Sequence, residues 1–340
     1  MKYILLPENT QYRRPLKLSF YLAMEEYVAR QTDEDECFFM WQVEPSVIFG
    51  RNQLIENEVN MDFCRKHNIQ MFRRKSGGGC VYADMGNVMF SYITSEEQVG
   101  FTFNRYLNMI VLMLRRLGVD ASASGRNDVM IGDRKVSGNA FYRLPRRSIV
   151  HGTMLYDTNM TNMAGAITPS DAKLLSKGVA SVKQRVALLK DYVKLSLDDF
   201  KDYVRQTLCD DEFVLTSEQV REIEQMEQDY LSDEFIYGKN PSYTLIKRQR
   251  IEHVGDLEAR IGVKNGIIKH VNLMGDFFLV GDLDKGLLQK LIGVPLEYTA
   301  LRQALPDRID DIIMNLKIDD FVLFITQPSQ VLGLEVRTKN

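Results

Sequence analysis

Residues 73–82 of the chain read Arg73-Arg74-Lys75-Ser76-Gly77-Gly78-Gly79-Cys80-Val81-Tyr82. Three consecutive glycines carry a cost in conformational entropy, and the residues on both sides favour strands, so the stretch predicts two strands joined by a glycine-rich turn. Backbone N–H groups in such a turn can approach a phosphate closely, and arginines can add charge-assisted hydrogen bonds. No Gly-Lys-Ser/Thr follows and no helix begins there, which excludes a Walker A motif and a dinucleotide fingerprint. Alone, the glycine run is equally typical of a tight hairpin or a bulge.

Short strands and helices are predicted on both sides of this turn. Runs of β-type residues predict strands, and apolar residues at helical spacing predict a helix that ends before Gly118. The strands are Tyr3–Leu6, Cys37–Trp41, Ser46–Phe49, Ile69–Arg73, Val88–Ile93 and Ile149–Tyr156, and the helix is Phe103–Leu117.

The chain has a second, smaller domain in its last hundred residues. Two helices, from Ser196 to Leu208 with a capping box and from about Ser217 to Leu231, precede a turn-rich segment, residues 238–241. The predicted domains are therefore residues 1–240 and 243–340. In the second, Lys264-Asn265-Gly266 predicts a hairpin between Ala259–Val263 and Ile267–Leu273, and helices are expected at Asp284–Leu291 and Glu297–Ala304.

Composition excludes several classes of protein. Of 340 residues, 45% are apolar and 26% are charged, and 43 basic against 46 acidic residues give a net charge of −3. This is ordinary for a globular protein and argues against a sequence-independent nucleic-acid binder. Four separated cysteines and four separated histidines argue against a zinc site. No apolar run is long enough for a membrane span or a signal peptide, so we expect a cytoplasmic protein with reduced thiols.

A second chemically suggestive stretch surrounds Lys135. The run from Gly132 to Lys135 predicts a hairpin turn, and Lys135 opens the next strand close to Ser137 and Gly138. A lysine on a strand beside small residues can place its charge over a ligand phosphate. Asp128, just upstream, could hold a divalent ion or a ribose. An ordinary solvated turn explains the same residues, and His151, between apolar strand residues, is more typical of a satisfied core group than of a ligand.

Several stretches in order and in register resemble the lipoate–protein ligases. They are Leu22–Glu26, Trp41, Pro45–Gln53, Glu58–Asn60, Ser76–Asn87, Gly125–Val129, Gly132–Ala140, His151–Leu155 and Ser181–Val186. The resemblance covers most of residues 1–190, and residues 266–268 and 275–278 extend it into the terminal domain.

The resemblance implies a fold and a reaction. The fold is α/β (α+β): a biotin/lipoyl-ligase-like catalytic domain with mixed sheets, followed by a small C-terminal α/β accessory domain, with a hinge near residues 235–245. Lipoate and ATP, with Mg²⁺, give lipoyl-AMP and pyrophosphate, and the lipoyl group then passes to the ε-amine of a lysine. The acceptors are lipoyl domains of 2-oxoacid dehydrogenase acyltransferase subunits and the glycine-cleavage H protein. The protein would be a monomer, without nucleic-acid or membrane partners.

The resemblance also implies roles for individual residues. Lys135 is the catalytic residue, stabilising charge between the carboxyl oxygen and the α-phosphate, and Asp128 is the metal residue. The implied nucleotide contacts are Arg74, Gly79, Cys80, Val81, Tyr82, Asn127, Asp128 and Lys135. The implied lipoate contacts are Trp41, Glu26, Ser76, Gly77, Gly78, Asn87, Gly138 and His151.

The chain departs from the family pattern at three positions. Cys80 stands where the family has alanine, Ala83 where it has histidine, and Tyr21 where it often has asparagine. A small buried thiol is the simpler interpretation of Cys80. A cysteine thioester would instead indicate an ATP-independent octanoyl or lipoyl transferase. The departures predict altered acyl preference, weaker activity or a specialised acceptor, and the basic residues with Lys135 still predict an active enzyme. Ala83 is also the main support for a third alternative, a non-catalytic lipoate-binding protein.

Two further hypotheses concern partners and substrates. A biotin ligase is less favoured, because its loop usually reads Gly-Arg-Gly-Arg. Arg143, Arg146 and Arg147 flank Pro145 in one short loop, near Arg134. Lipoyl domains tend to be acidic, so these arginines could steer an acceptor, although an ordinary solvated loop explains them as well.

Overall fold

The chain divides into two compact units, Met1–Lys239 and Asn240–Asn340. The computed structural model describes residues 1–8, 16–53, 55–95, 99–124, 127–167, 185–237, 245–264 and 266–327. The predicted linker at residues 238–241, most of the predicted hinge, and the motif residues Gly125, Arg126, Ser181–Gln184 and Asn265 lie outside these ranges.

A mixed sheet dominates the first unit. Its strands among the described residues are β1 (Lys2–Leu5), β2 (Glu36–Trp41), β6 (Asn87–Thr94), β7 (Ala121–Ala123), β8 (Asp128–Ile131), β9 (Arg134–Leu144), β10 (Arg147–Leu155) and β11 (Asp211–Val214). These eight strands lie in the order β11-β1-β2-β6-β10-β9-β8-β7. β1 pairs in parallel with β11 and β2, and the remaining neighbours are antiparallel.

A small second sheet carries the glycine-rich turn. Its strands are β3 (Ser46–Phe49), β4 (Gln70–Arg73) and β5 (Val81–Ala83), in the order β4-β3-β5. β3 is parallel to β4 and antiparallel to β5, so residues 74–80 cross over the end of the central strand. The strand predicted before the glycines is confirmed as β4, but the strand that follows them is β5, and the predicted Val88–Ile93 belongs to β6 of the large sheet. Because β3 lies between β4 and β5, the turn is not a tight hairpin.

Helices cover the sheets of the first unit. They are α1 (Leu18–Gln31), α2 (Ile55–Glu58), α3 (Met61–Lys66), α4 (Val99–Arg116), α5 (Met160–Ala166), α6 (Leu197–Leu208), α7 (Ser217–Leu231) and α8 (Asp233–Tyr237), with a 3₁₀ turn at Leu189–Asp191. Eleven of the fourteen residues of α1 are buried, and this helix packs on α7 and on β6 and β10 of the large sheet. The capping box predicted at Ser196 and Asp199 is confirmed at the start of α6.

The second unit combines an antiparallel sheet with short helices around its own apolar core. The sheet is β12 (Leu245–Ile251), β13 (Gly255–Lys264) and β14 (Ile267–Gly275), and β13–β14 is the predicted hairpin. A π-helical turn at Asp284–Leu288 runs into α9 (Gln289–Leu291), followed by α10 (Tyr298–Ala304), a 3₁₀ turn at Ile309–Asp311 and α11 (Ile318–Thr326). The predicted α/β class, with mixed sheets and a separate terminal domain, is confirmed.

Candidate active site

Arg74 lies underneath the glycine-rich turn and hydrogen-bonds to it. Arg74 is 4% exposed. It donates to Ser76 Oγ at 2.9 Å, to the Ile48 carbonyl at 3.0 Å, and to the carbonyls of Gly77 and Gly79 at 2.6 and 2.8 Å. A planar guanidinium with five donors suits this set of acceptors. Arg74 therefore fixes the shape of the turn.

The two neighbouring basic residues also face protein groups. Arg73 is buried and donates to four carbonyl groups, those of Gly50, Arg51, Gln53 and Ile236. Lys75 Nζ lies 2.5 Å from Glu26 Oε2 and 4.7 Å from the centre of the Tyr230 ring. The basic run therefore ties the turn to β3, α1 and the α7–α8 region.

The turn packs against Gly50, the residue that follows β3. A Cβ atom at Gly50 would lie 2.3 Å from the backbone oxygen of Gly78, closer than real Cβ contacts allow. Gly78 itself has a φ of +86°, a left-handed conformation that glycine adopts without strain. Glycine is thus required at both positions.

Lys135 and Asp128 form an ion pair across the β8–β9 hairpin. Lys135 Nζ lies 2.8 Å from Asp128 Oδ1, and Arg185 lies 3.8 Å from Oδ2. The side chain of Lys135 runs over Gly138, where a Cβ atom would lie only 2.3 Å from Nζ. A register shift between Val129 and Met130 accompanies this arrangement. The predicted hairpin turn before Lys135 is confirmed.

A cavity of about 90 Å³ brings Lys135 together with residues from the glycine-rich turn. Cys80, Val81 and Tyr82 form one side of it, and Lys135 and Arg185 form another. Its other lining residues are Glu58, Thr153, Leu155, Met163, Ile167 and Val186. The sequence assigns eight residues to nucleotide binding. The structure brings five of them together here: Cys80, Val81, Tyr82, Asp128 and Lys135.

A buried chain of hydrogen bonds links Ser76 to Trp41. Ser76 Oγ lies 2.7 Å from His151 Nε2, and His151 Nδ1 lies 2.8 Å from Glu25 Oε2. Ser91 Oγ donates to Glu25 Oε1 at 2.5 Å and accepts from Trp41 Nε1 at 2.8 Å. All five side chains are at most 8% exposed. His151 is therefore a satisfied buried group that joins β10, α1 and the glycine-rich turn.

Glu26, the next residue of α1, has a different set of partners. It accepts from Arg30 at 2.8 Å, Lys75 at 2.5 Å and the Tyr230 hydroxyl at 3.1 Å. Burial by itself would raise the pKa of this carboxyl, but these hydrogen bonds and charges together hold its pKa below the ordinary value. Glu26 thus acts as an ionised anchor for Lys75.

Two asparagines that the sequence assigns to ligands form hydrogen bonds with other groups of the protein. Asn127 Nδ2 donates to the Asn139 carbonyl at 2.9 Å, and Asn139 Nδ2 returns a bond to the Asn127 carbonyl at 3.0 Å. Asn87 Nδ2 donates to the Tyr82 carbonyl at 3.1 Å, and its Oδ1 accepts from Thr158. These contacts tie the residue before β8 to β9, and the start of β6 to β5.

The three departures from the family pattern have distinct surroundings. Ala83 is fully buried in the same apolar cluster as Trp41. Tyr21 stacks on the Trp41 indole with ring centres 4.9 Å apart and an angle of 13° between the planes. Cys80 is half-buried at the cavity. The first two substitutions make the surroundings of Trp41 apolar and aromatic.

The arginine loop, residues 143–147, lies at the end of the β9–β10 hairpin that is far from Lys135. Arg143 is eight residues along β9 from Lys135, which corresponds to about 27 Å. Arg147 donates to carbonyls of Thr32, Glu34 and Asp35, so it holds the turn between α1 and β2. Arg134 donates to the Tyr192 hydroxyl. Arg143 and Arg146 are exposed.

The described residues contain neither a metal-binding cluster nor a membrane-spanning helix. No three His, Cys, Asp or Glu side chains there are grouped so that they could hold a metal ion. None of the helices in this part of the chain is long and apolar enough to cross a membrane.

Comparison with known families decides the identity of the chain. A model described as the lipoyl protein ligase A/B catalytic domain matches residues 17–209, and one described as the bacterial lipoate protein ligase C-terminus matches residues 240–325. Lipoate–protein ligase 1 of Staphylococcus aureus is 36% identical over 295 residues, covering 84% of this chain and 89% of that protein. The chain belongs to the lipoate–protein ligase family. The resemblance inferred from the sequence is confirmed.

A second relative and a solved structure also match most of this chain. LplJ of Bacillus subtilis is 31% identical, covering 84% of this chain and 89% of that protein. Among solved structures, P. falciparum LipL1 in complex with lipoate has a TM-score of 0.73 at 20% identity, covering 96% of this chain and 99% of that chain.

Two further structures share the fold of the ligase. A bipartite lipoate protein ligase from Thermoplasma acidophilum, described with its E2 lipoyl domain, has a TM-score of 0.61 at 26% identity, covering 72% of this chain and 98% of that chain. Lipoate-protein ligase A bound with ATP has a TM-score of 0.60 at 24% identity, covering 70% and 98%.

Sequence reasoning missed the structural importance of Glu25, Ser91 and Arg185. Glu25 and Glu26 are adjacent in the sequence, and only the direction of each side chain on α1 separates their partners. Arg185 lies in a stretch quoted for the resemblance without a role. A short apolar strand with a single serine, as around Ser91, gives no signal of its contact with Glu25.

Proposed function

We propose that this ligase activates lipoate with ATP and transfers the lipoyl group to a lysine of a lipoyl-domain protein. The observation that carries the proposal is the position of Lys135 Nζ, held beside Asp128 at a cavity that residues 80–82 also line. Relatives named lipoate–protein ligases support the substrate, and a ligase of the same fold that was crystallised with ATP supports the co-substrate.

The first step joins the lipoate carboxylate to the α-phosphate. A carboxylate oxygen attacks the α-phosphorus, a C–O–P anhydride forms, and the bond to the bridging oxygen breaks as pyrophosphate leaves. Negative charge builds on the α-phosphate oxygens, and fixed donors nearby stabilise it. Lys135 supplies such a charge once its ammonium turns from Asp128 towards the nucleotide, and Arg185 lies in the same cavity.

The glycine-rich turn would contribute backbone donors. Arg74 holds the carbonyls of Gly77 and Gly79 on its own side. In a trans peptide the carbonyl and the following N–H point in opposite directions, and the described backbone contains no cis peptide. The N–H groups of Gly78 and Cys80 therefore point away from Arg74. This supports a role for the turn backbone in ligand binding, with Arg74 acting from behind it.

The second step moves the acyl group. The acceptor's ε-amine attacks the carbonyl carbon, an amide bond forms, AMP leaves with the electrons of the anhydride bond, and the amine loses a proton. Lys135 would stabilise the charge on the carbonyl oxygen and on AMP, so no covalent enzyme intermediate is needed. The anhydride must be shielded from water. The apolar surroundings of Trp41, Tyr21 and Ala83 suit the lipoyl tail.

Asp128 is the carboxylate that we propose for a magnesium ion. It is a single carboxylate already facing Lys135 and Arg185, and no cluster of protein ligands surrounds it in the described residues. Mg²⁺ is commonly held by one or two carboxylates together with phosphates and water, and this donor set fits that pattern. When bound, the ion would neutralise charge on the phosphates of ATP.

The proposed acceptors are lipoyl domains of 2-oxoacid dehydrogenase acyltransferase subunits and the glycine-cleavage H protein. The archaeal ligase described with its E2 lipoyl domain supports the first. Since Arg143 lies about 27 Å from Lys135, a domain that presents its lysine there would meet the arginine loop only with a distant part of its surface. We further propose a monomer in the cytoplasm, where the four free cysteines stay reduced.

The test is lipoate-dependent release of pyrophosphate from ATP, with wild type beside Lys135→Ala. We expect release by wild type and a loss of several orders of magnitude in the variant, because a charge that stabilises the reacting phosphate has been removed. No release by well-folded wild type with lipoate or octanoate would overturn the proposal.

One observation favours a second function, ATP-independent acyl transfer between carrier proteins. Cys80 lines the same cavity as Lys135 and could form a thioester. Transfer of octanoate from one carrier domain to another without ATP, abolished by Cys80→Ala, would establish this alternative.

A further inference from the structure

The hydrogen-bond chain behind the glycine-rich turn has a defined direction. Arg74 and Trp41 stand at its two ends, and both side chains can only donate. Glu25 stands in the middle, and an ionised carboxylate can only accept. The hydrogen bonds therefore point from Arg74 and from Trp41 towards Glu25. Ser76 and His151 lie between Arg74 and Glu25.

This direction determines the tautomer of His151. Its Nδ1 lies 2.8 Å from Glu25 Oε2, which requires a proton on Nδ1. Its Nε2 lies 2.7 Å from Ser76 Oγ, and that oxygen already accepts from Arg74. The Ser76 hydroxyl can then donate to Nε2, so that every donor in the chain has one acceptor. Which nitrogen carries the proton is thus set by the carboxylate on the opposite side of the ring.

Ser76, His151 and Glu25 share the order of a nucleophilic triad, but the surroundings of Ser76 do not suit a nucleophile. A triad serine is exposed to its substrate. Ser76 is 0% exposed, and Arg74 Nε occupies one lone pair of its Oγ at 2.9 Å. The constellation therefore serves to position groups.

We propose that Glu25 is a positioning residue: it fixes the Nδ1–H tautomer of His151, which orients the Ser76 hydroxyl and, through Arg74, the turn that receives the lipoate carboxyl group. The inference rests on the proposed function for the identity of that ligand. Glu25 is suited to this role because it is fully buried and accepts from both branches of the chain.

Glu26 provides a matched comparison on the same helix. It is also a buried carboxylate, yet its partners are Arg30, Lys75 and Tyr230. It has no hydrogen bond to His151 or Ser91 in the described contacts. Removal of this carboxylate changes the charge of the region without touching the His151 tautomer.

The test replaces each carboxylate by methionine, which has a similar shape and no acceptor for His151 Nδ1–H. In Glu25→Met, a proton on Nδ1 would be buried without a partner, whereas a proton on Nε2 can still reach Ser76. ¹⁵N NMR of the ring nitrogens distinguishes the two tautomers, and the chain has only four histidines to assign. We expect the Nδ1–H form in ligand-free wild type and in Glu26→Met, and the Nε2–H form in Glu25→Met.

Several results would overturn the proposal. They are an Nε2–H or doubly protonated His151 in wild type, an unchanged tautomer in Glu25→Met, or a changed tautomer in Glu26→Met. Should Glu25→Met fail to fold, Glu25→Asp keeps an acceptor-only side chain, and retention of the Nδ1–H form is expected there.

Kinetics supply the functional half of the test. We expect Glu25→Met to lower kcat/KM for lipoate on the order of tenfold to a hundredfold, with partial recovery in Glu25→Asp. The KM for lipoate should rise more than the KM for ATP. A switched tautomer with wild-type kinetics would overturn the positioning role. If wild type itself releases no pyrophosphate, the proposed function fails, and the tautomer measurement still tests the link between Glu25 and His151.

Discussion

Gly138 leaves the space that the ammonium of Lys135 occupies. A Cβ atom at Gly138 would lie 2.3 Å from Nζ and 2.5 Å from Cε of Lys135. The absence of a side chain at Gly138 thus leaves room for the lysine over the strand. Asp128, 2.8 Å away, holds its ammonium there.

Gly138→Ala should impair activity more than folding. The atoms it meets are the end of a flexible side chain, so Lys135 can move aside, and alanine is no worse than glycine in a strand. We expect unfolding free energy within about 1 kcal/mol of wild type, and lipoate-dependent pyrophosphate release reduced about 10²- to 10³-fold. Urea unfolding followed by Trp41 fluorescence, beside the pyrophosphate assay, checks both.

Gly100→Ala is the matched control for that substitution. Gly100 lies in α4, and nothing lies within 4 Å of the added Cβ atom. It should leave activity unchanged. Equal losses of activity in both variants would contradict the role given to Gly138.

Arg74→Lys should destabilise the glycine-rich turn although the charge is kept. A lysine cannot reach the four acceptors that the guanidinium serves, and buried carbonyls are left unpaired. We expect a loss of about 2–4 kcal/mol in unfolding free energy and faster amide exchange at residues 77–80. Arg65→Lys, at an exposed position of α3, should change neither quantity. Wild-type exchange at the turn in Arg74→Lys would refute this account.

Cys80→Ala should leave the ligase reaction nearly intact. The proposed reaction needs no thiol nucleophile, so pyrophosphate release should stay within about threefold of wild type. A loss of several orders of magnitude in a folded variant would favour the carrier-to-carrier transferase.

Thiol labelling provides a second test of the role of Cys80. Burial raises the pKa of Cys37 and Cys64 to about 11, and both are fully buried, so they should resist alkylation at neutral pH. Cys80 is half-buried at the cavity and should react faster than either. ATP with lipoate should slow its labelling, as peptide mass spectrometry would show. Labelling of Cys80 that ATP and lipoate leave unchanged would count against nucleotide contact at this position.

Glu26 should contribute stability that disappears in acid. Despite burial, which opposes ionisation, its hydrogen bonds with Lys75 and Arg30 hold its pKa below the ordinary 4.5 in the folded protein. Because the pKa of Glu26 is lower in the folded than in the unfolded chain, the unfolded chain takes up the proton first as the pH falls. The contribution of Glu26 to stability is therefore complete above the unfolded pKa and is lost as the pH falls through the folded pKa.

Unfolding measured against pH for wild type and Glu26→Gln checks this. The stability difference between the two should be constant from pH 7 to about 5 and should shrink below about 4.5. A difference that grew on acidification would show that Glu26 is destabilised as an anion in the fold.

Some strands and helices could be predicted because residues that end them are visible in the sequence. Ser46–Phe49 stands between Pro45 and Gly50, and the structure has a strand with those bounds. Ser217–Leu231 has clear helical spacing and is a helix over the same residues. By contrast, α1 gives no amphipathic pattern because eleven of its fourteen residues are buried, Glu25 and Glu26 among them.

The basic run at residues 73–75 shows what local sequence leaves open. The residue types are those that bind phosphates, and nothing in their order tells which groups they face. Arg73 reaches the carbonyl of Ile236, which is 163 residues away in the chain. Such partners exist only once β4 and α8 have packed. The position of Lys135, in contrast, follows from a local hairpin and a nearby glycine, both visible in the sequence.

The parallel pairing of β1 with β11 has a consequence for how the protein is made. Met1 and Asp210, which meet beside these strands, are 209 residues apart in the chain. A polypeptide emerging from the ribosome would thus display one side of its first strand, as an unprotected edge, until nearly two thirds of the chain had been synthesised. A chain stopped at residue 209, where the catalytic family model ends, would keep that edge permanently. Nascent chains of this ligase therefore need residues 211–214 before β1 becomes an inner strand, and from then on the four-residue β11 forms the edge at this end of the sheet.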